Sequence, residues 1–168
     1  MAASSLVADM VIISFAGLVF SAAVSDVLSY TVPNRTCLAI ALLYPAYAFS
    51  AAGSVDWAGA LGIAAAALAV GFVLFSFRIC GAGDAKLFAA VALWAGPLLF
   101  VQLVLGTTAA GAIMAVYLWL HHRLSRAPVP SMVFQTGAEP GFEKQPMPYA
   151  AAIAVGALYV AFTLLRVS

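Results

Sequence analysis

The longest uncharged stretch of the chain, residues 87–120, reads LFAAVALWAGPLLFVQLVLGTTAAGAIMAVYLWL. A transmembrane helix needs about 20 apolar residues, so these 34 residues are too many for one span. A Gly-Pro pair at 96–97 divides the stretch, because proline is tolerated in the first turn of a helix. The sequence therefore predicts a short helix at 84–95 and a longer one at 97–120. So short a helix survives in a membrane where protein or a water-filled cavity covers it, and we expect a cavity near Asp84.

The composition outside this stretch is also that of a membrane protein. Mean hydropathy is +1.10 and 8% of the residues are charged, whereas soluble proteins carry about 25%. The expected fold is an all-α integral membrane protein with six transmembrane helices in a single membrane-embedded domain, 1–168. No positive residue precedes Arg35, so we expect a retained first span rather than a signal peptide. The four remaining spans are predicted at 6–28, 36–52, 57–77 and 148–165, with a cytoplasmic loop at 121–147.

The distribution of positive residues predicts the orientation in the membrane. Lys and Arg residues concentrate in cytoplasmic loops. Six spans would place all but Arg166 on one side, which predicts that both termini lie outside the cytoplasm and that Asp26 and Asp84 lie at the cytoplasmic face of the inner membrane. No basic run is present, so a nucleic-acid partner is not expected. The residues on the cytoplasmic side would be Arg35, Arg78, Lys86, Arg123, Arg126 and Lys144.

Two carboxylates are the strongest candidates for a functional site. An ionisable group at membrane depth is costly, so it indicates function by default. Asp84 follows Gly81-Ala82-Gly83, and Asp26 lies at the end of the first apolar stretch. Two carboxyl groups brought close together share a proton, as in aspartic proteases, so one can deprotonate a water molecule while the other donates a proton. The sequence puts both groups on one side of the membrane but does not show that they meet.

Other residues near these carboxylates leave alternatives open. Gly81 and Gly83 either let an extended substrate approach the main chain or separate two helices, with Asp84 as an ordinary N-cap. Asn34 either bonds within the site or supports the preceding proline turn. Lys86 lies two residues past Asp84, on another helix face, and is more typical of a snorkelling anchor.

No metal site is predicted. Cys37 and Cys80 are isolated from each other and from histidine, which is typical of apolar packing residues. The adjacent His121 and His122 would point to different faces of a helix. A small six-helix proton- or cation-coupled transporter could also use the two aspartates, but the inverted repeat common in such carriers is not evident.

The chain resembles the type IV prepilin peptidases, membrane aspartic proteases of the G-x-G-D class. The resemblance rests on three motifs: Asp26 followed by Val32-Pro33-Asn34, then Gly81-Ala82-Gly83-Asp84-Ala85-Lys86, and finally Met147-Pro148-Tyr149. It implies that Asp26 and Asp84 are the catalytic pair and that neither a metal nor another cofactor takes part. It also implies that Gly81, Gly83, Pro33, Asn34 and Lys86 bind substrate or support the site.

The same resemblance implies the substrate and its setting. The substrate would be a prepilin in the lipid bilayer, cut between its basic leader and its apolar helix. The product would pass to a pilus assembly system. Longer family members carry paired C-x-x-C motifs linked to N-methylation, and this sequence contains none. We therefore expect no methyltransferase activity. The short form is similar to the peptidases of tight-adherence (Flp-type) pili and to archaeal preflagellin peptidases.

Overall fold

The computed structural model describes residues 2–29, 31–51, 55–124 and 149–167. These ranges form helices and connecting turns and contain no strand, which confirms the predicted all-α class. Most of the predicted loop at 121–147, namely 125–147, lies outside the described residues, as does Pro148. The helices are α1 (Ala2–Ser29), α2 (Asn34–Ser50), α3 (Trp57–Ser76), α4 (Ala82–Leu124) and α5 (Tyr149–Val167).

Four of these helices, α1, α3, α4 and α5, are long and apolar enough to cross a membrane. The described ranges therefore hold five helices and four candidate spans, where the sequence predicted six spans. The second predicted span, 36–52, falls on α2. That helix has only 17 residues and begins with Asn34-Arg35-Thr36. At 1.5 Å per residue it reaches about 26 Å, less than the roughly 30 Å hydrocarbon core.

The fourth and fifth predicted spans belong to one element, α4, which bends at Gly96. This residue has φ 54° and ψ −170° inside the 43-residue helix. Such a positive φ is open to glycine and strained for other residues, and Pro97 follows it. The predicted break is therefore confirmed, because two helical parts meet at this kink. We call 82–95 the first arm and 97–124 the second arm.

Contacts between small residues show which helix each arm of α4 packs against. A Cβ atom on Gly59 would lie 2.6 Å from Pro97, and one on Gly71 would lie 2.8 Å from Ala85, so α3 is antiparallel to the first arm. The second arm packs against α5, where Gly106 meets Gly156. Small residues allow such close approach of helices in membranes.

An aromatic cluster joins α1 and α2 to the first arm of α4. The buried Trp94 ring stacks on Phe15 of α1 at 4.2 Å and on Tyr47 of α2 at 5.3 Å. Its indole N–H donates a 2.9 Å hydrogen bond to the Ile40 carbonyl. Trp94 lies ten residues from Asp84, about 15 Å along a helix. The cluster thus holds α1 against α4 well away from the two carboxylates.

The outer surface of the bundle is apolar. Large side chains such as Leu98, Phe49 and Leu28 are 78–87% exposed. Soluble proteins rarely expose extended apolar patches. Together with the four candidate spans, this surface indicates a multi-pass membrane protein.

Candidate active site

Asp26 lies near the end of α1 and is 5% exposed, the one buried charged side chain among the described residues. Its Oδ2 accepts a 2.9 Å hydrogen bond from the backbone N–H of Ala150. Ala150 belongs to the first turn of α5, where N–H groups lack partners within the helix and the helix dipole favours negative charge. One carboxylate therefore joins two helices whose bonded residues are 124 positions apart.

Asp84 occupies the third position of α4, and Gly81 precedes the helix. The Ala85 N–H donates to the Gly81 carbonyl at 3.1 Å and closes the first helical turn. Asp84 is the acidic residue of this first turn, where the helix dipole favours negative charge. The alternative that Asp84 is itself the N-cap is therefore wrong, because Gly81 holds that position.

Gly81 and Gly83 each leave room for a specific neighbour. A Cβ atom on Gly81 would lie 2.9 Å from Oδ2 of Asp84. One on Gly83 would lie 3.3 Å from the Val32 side chain, in the connection between α1 and α2. The first glycine thus makes space for the Asp84 carboxylate, and the second lets the α1–α2 connection approach α4.

The three polar or turn residues predicted beside the carboxylates lie in the same region. Pro33 is extended and caps α2, with its carbonyl accepting from the N–H groups of Thr36 and Cys37. Asn34 follows it, and Oδ1 of Asn34 accepts a 3.0 Å hydrogen bond from the Lys86 ammonium. Asn34 and Lys86 therefore bond with each other, across two of the sequence motifs.

The structure places both carboxylates at the same end of the bundle. Asp26 bonds to Ala150, and the preceding residue, Tyr149, lines the same cavity as Asp84. Gly83 and Lys86 hold the α1–α2 connection against the start of α4, so the seven predicted site residues gather at one end. In the described ranges, no three His, Cys, Asp or Glu side chains cluster as metal ligands would; the His121 and His122 side chains lie outside them.

A cavity of about 610 Å³ opens beside Asp84, where the short first arm led us to expect one. Its walls come from α3, both arms of α4 and α5. They are almost entirely apolar, and Asp84 is the one carboxylate among them. Cys80 and Tyr149 also line it. Other residues that line the cavity include Ala66, Ala67, Gly71, Phe88, Phe100 and Ile153.

Two threonines on the cavity wall were not predicted to belong to the site. Thr108 donates to the Val104 and Leu105 carbonyls one turn back in its own helix. The buried Thr107 hydroxyl has no hydrogen-bond partner among the described residues. It packs against Gly156, where a Cβ atom would lie 2.6 Å away. The one sequence signal was a Thr-Thr pair within an otherwise apolar stretch.

Comparison with known proteins assigns the family. A model of the type IV leader peptidase family matches residues 13–116, more than half of the chain. The matched range includes Asp26, Asp84 and all five residues predicted to support them, whereas α5 lies beyond it. No curated protein and no solved structure matches the chain. The chain belongs to the type IV leader peptidase family.

Proposed function

We propose that this peptidase is a membrane aspartic endopeptidase that removes the basic leader from Flp-like type IV prepilins. The observation that carries the proposal is that Asp26 and Asp84 lie at the same end of the helix bundle, with Asp26 bonded to Ala150 and Asp84 lining a cavity together with Tyr149. Family membership supports the leader-peptidase activity and a prepilin substrate. The transporter alternative receives no support from the family match.

In this proposal the aspartates act on a water molecule. One carboxylate takes a proton from the water as its oxygen attacks the scissile carbonyl carbon, while the other, protonated, donates to the carbonyl oxygen. The resulting tetrahedral intermediate loses its C–N bond as a proton passes to the leaving amine. Such a pair works because two nearby carboxylates resist double ionisation and hold one proton between them. Neither the base role nor the acid role is assigned to one particular aspartate of the pair.

The proposal extends to the orientation of the bundle in the inner membrane. The positive residues predict that the aspartates face the cytoplasm and that both termini lie on the other side. Asp26, Asn34 and Lys86 lie at one end of the bundle, which suits a site at a membrane surface. In this arrangement the two arms of α4 serve as the fourth and fifth of the six predicted spans. The 17-residue α2 serves as the second, because a bilayer thins locally around a helix shorter than its core.

Co-expression with an Flp-type prepilin tests the activity. Asp26→Asn and Asp84→Asn should each abolish leader removal, because an amide cannot exchange the required proton. Asp56→Asn is a matched control: Asp56 caps α3 by accepting from the Gly59 N–H at 2.9 Å, and asparagine caps equally well. Processing retained in either site variant would contradict the paired-aspartate mechanism. The new pilin N-terminus should carry no methyl group, as intact mass would show.

A further inference from the structure

The cavity beside Asp84 is too large and too apolar to serve only as room for catalytic water. Its volume of about 610 Å³ is roughly four times that of an engineered 150 Å³ apolar cavity that stays dry and binds one benzene. Pockets of roughly 300–1,000 Å³ typically enclose whole ligands. The space therefore matches several large apolar side chains.

Two polar groups of the cavity lie near Asp26. Asp84 and Tyr149 both line it. The residue after Tyr149 is Ala150, whose N–H holds Asp26. An apolar segment inserted between α3 and α5 would thus end beside both aspartates.

We propose that this cavity binds the apolar residues adjoining the scissile bond of the substrate, with Tyr149 at its polar end as a residue that positions the bond. The inference rests on the proposed function and adds to it a binding site and a determinant of side-chain size. A peptide presents neutral amide groups to the Asp84 carboxylate. A phospholipid in the same cavity would bring a negative phosphate towards that carboxylate, which disfavours it.

Two neighbouring alanines on α3 provide a matched test. Ala66 and Ala65 are both exposed, but Ala66 lines the cavity and Ala65 does not. Ala66→Phe should fill part of the binding space and raise KM for purified full-length prepilin by about tenfold or more, with kcat much less affected. Ala65→Phe should leave both constants at their wild-type values.

A change in the substrate separates direct contact from a folding defect. Prepilin variants with large apolar residues next to the scissile bond replaced by alanine should restore a low KM to Ala66→Phe. The same variants should bind wild type less well, because less apolar surface is buried. Equal KM values for Ala66→Phe and Ala65→Phe would overturn the inference, as would failure of every smaller substrate to rescue Ala66→Phe.

Tyr149 and the lipid alternative have their own readouts. Tyr149→Ala should lower kcat/KM about tenfold or more. Tyr159→Ala should not, because Tyr159 is on the same helix but does not line the cavity. Equal activity in these two variants would contradict the role of Tyr149.

Loss of a co-purifying phospholipid from Ala66→Phe in native mass spectrometry, with KM unchanged, would assign the cavity to lipid instead. If the wild type leaves every prepilin uncut, the proposed function itself fails.

Discussion

The Nζ atom of Lys86 donates a 3.0 Å hydrogen bond to Oδ1 of Asn34, which lies 52 residues earlier in the chain. This bond spans the gap between the α1–α2 connection and the first turn of α4. Gly83 supports the same junction by leaving space for Val32. The α1–α2 connection follows Asp26, and the start of α4 carries Asp84. These two segments are thereby held together by one hydrogen bond and one close apolar contact.

Removal of this bond should affect activity more than stability. Lys86 and Asn34 are exposed, so Lys86→Met should change the free energy of unfolding by less than about 1 kcal/mol. Prepilin processing should fall about threefold to tenfold, because the junction beside Asp84 loosens. Initial rates and thermal unfolding in detergent measure the two effects.

The control for Lys86→Met is Arg35→Gln, since Arg35 is an exposed cation next to Asn34. It should process prepilin at the wild-type rate. An equal loss in both variants would show a general effect of surface charge. The double variant Asn34→Ala with Lys86→Met should be no worse than either single change, because both remove the same bond.

Gly81→Ala should damage the site while leaving the fold intact. The new Cβ atom would lie 2.9 Å from Oδ2 of Asp84, so the carboxylate must move from its present position. Displacement of a reacting group by about 1 Å can cost on the order of 100-fold in rate. Single-turnover cleavage of prepilin measures this loss.

Gly17 and Gly62 are controls for Gly81→Ala, because a Cβ atom at either position meets nothing within 4 Å. Alanine at these helical sites should preserve activity and raise the free energy of unfolding by about 0.5–1 kcal/mol. Full activity in Gly81→Ala would mean that the geometry of the Asp84 carboxylate is not critical.

Thr107→Val should stabilise the protein. The buried Thr107 hydroxyl has no hydrogen-bond partner among the described residues, and such a group costs about 1–3 kcal/mol to bury. Valine has nearly the same shape and lacks the polar atom. Thermal unfolding should therefore shift to higher temperature. The Thr108 hydroxyl is exposed and bonded to its own helix, so Thr108→Val should change the melting temperature little. A lower melting temperature for Thr107→Val would reveal a hydrogen-bond partner for the Thr107 hydroxyl.

Cys80 offers a pH-dependent probe of the cavity. Burial raises the pKa of the Cys80 thiol, and the negative charge of Asp84 adds to the effect. Because the thiolate is the reactive form, labelling by N-ethylmaleimide should be slow at neutral pH and accelerate as pH rises towards the raised pKa. Labelling should block prepilin cleavage, since Cys80 lines the cavity.

The matched variants for this probe are Cys80→Ser and Cys37→Ser. Cys80→Ser should resist inhibition by N-ethylmaleimide, and Cys37→Ser should remain sensitive. Mass spectrometry identifies the labelled residue. Inhibition that persists in Cys80→Ser, or labelling of Cys80 without loss of activity, would place the thiol away from the path of the substrate.

Features governed by local chemistry could be predicted from the sequence. The apolar stretches became helices because a bilayer offers no other partner to their backbone groups. The bend at Gly96 followed from a glycine and a proline side by side. The predicted second span, 36–52, is as long as α2 but begins two residues later, because Asn34 and Arg35 were left outside it although they open the helix.

Features that depend on distant packing could not be predicted in this way. Asp26 bonds to a backbone N–H of α5, and any residue at position 150 except proline would present that group. The pairing of Asn34 with Lys86 requires two connections to meet in space. Thr107 packs against Gly156 of another helix, and a single stretch of sequence does not record that contact.

The bend at Gly96 divides α4 into two arms that can rotate relative to each other about this residue. Asp84 lies twelve residues from the bend on the first arm, about 18 Å at 1.5 Å per residue. A rotation of about 10° at the bend would shift Asp84 by about 3 Å relative to the second arm. The width of the cavity and the placement of one aspartate are therefore coupled to the backbone angles of a single glycine.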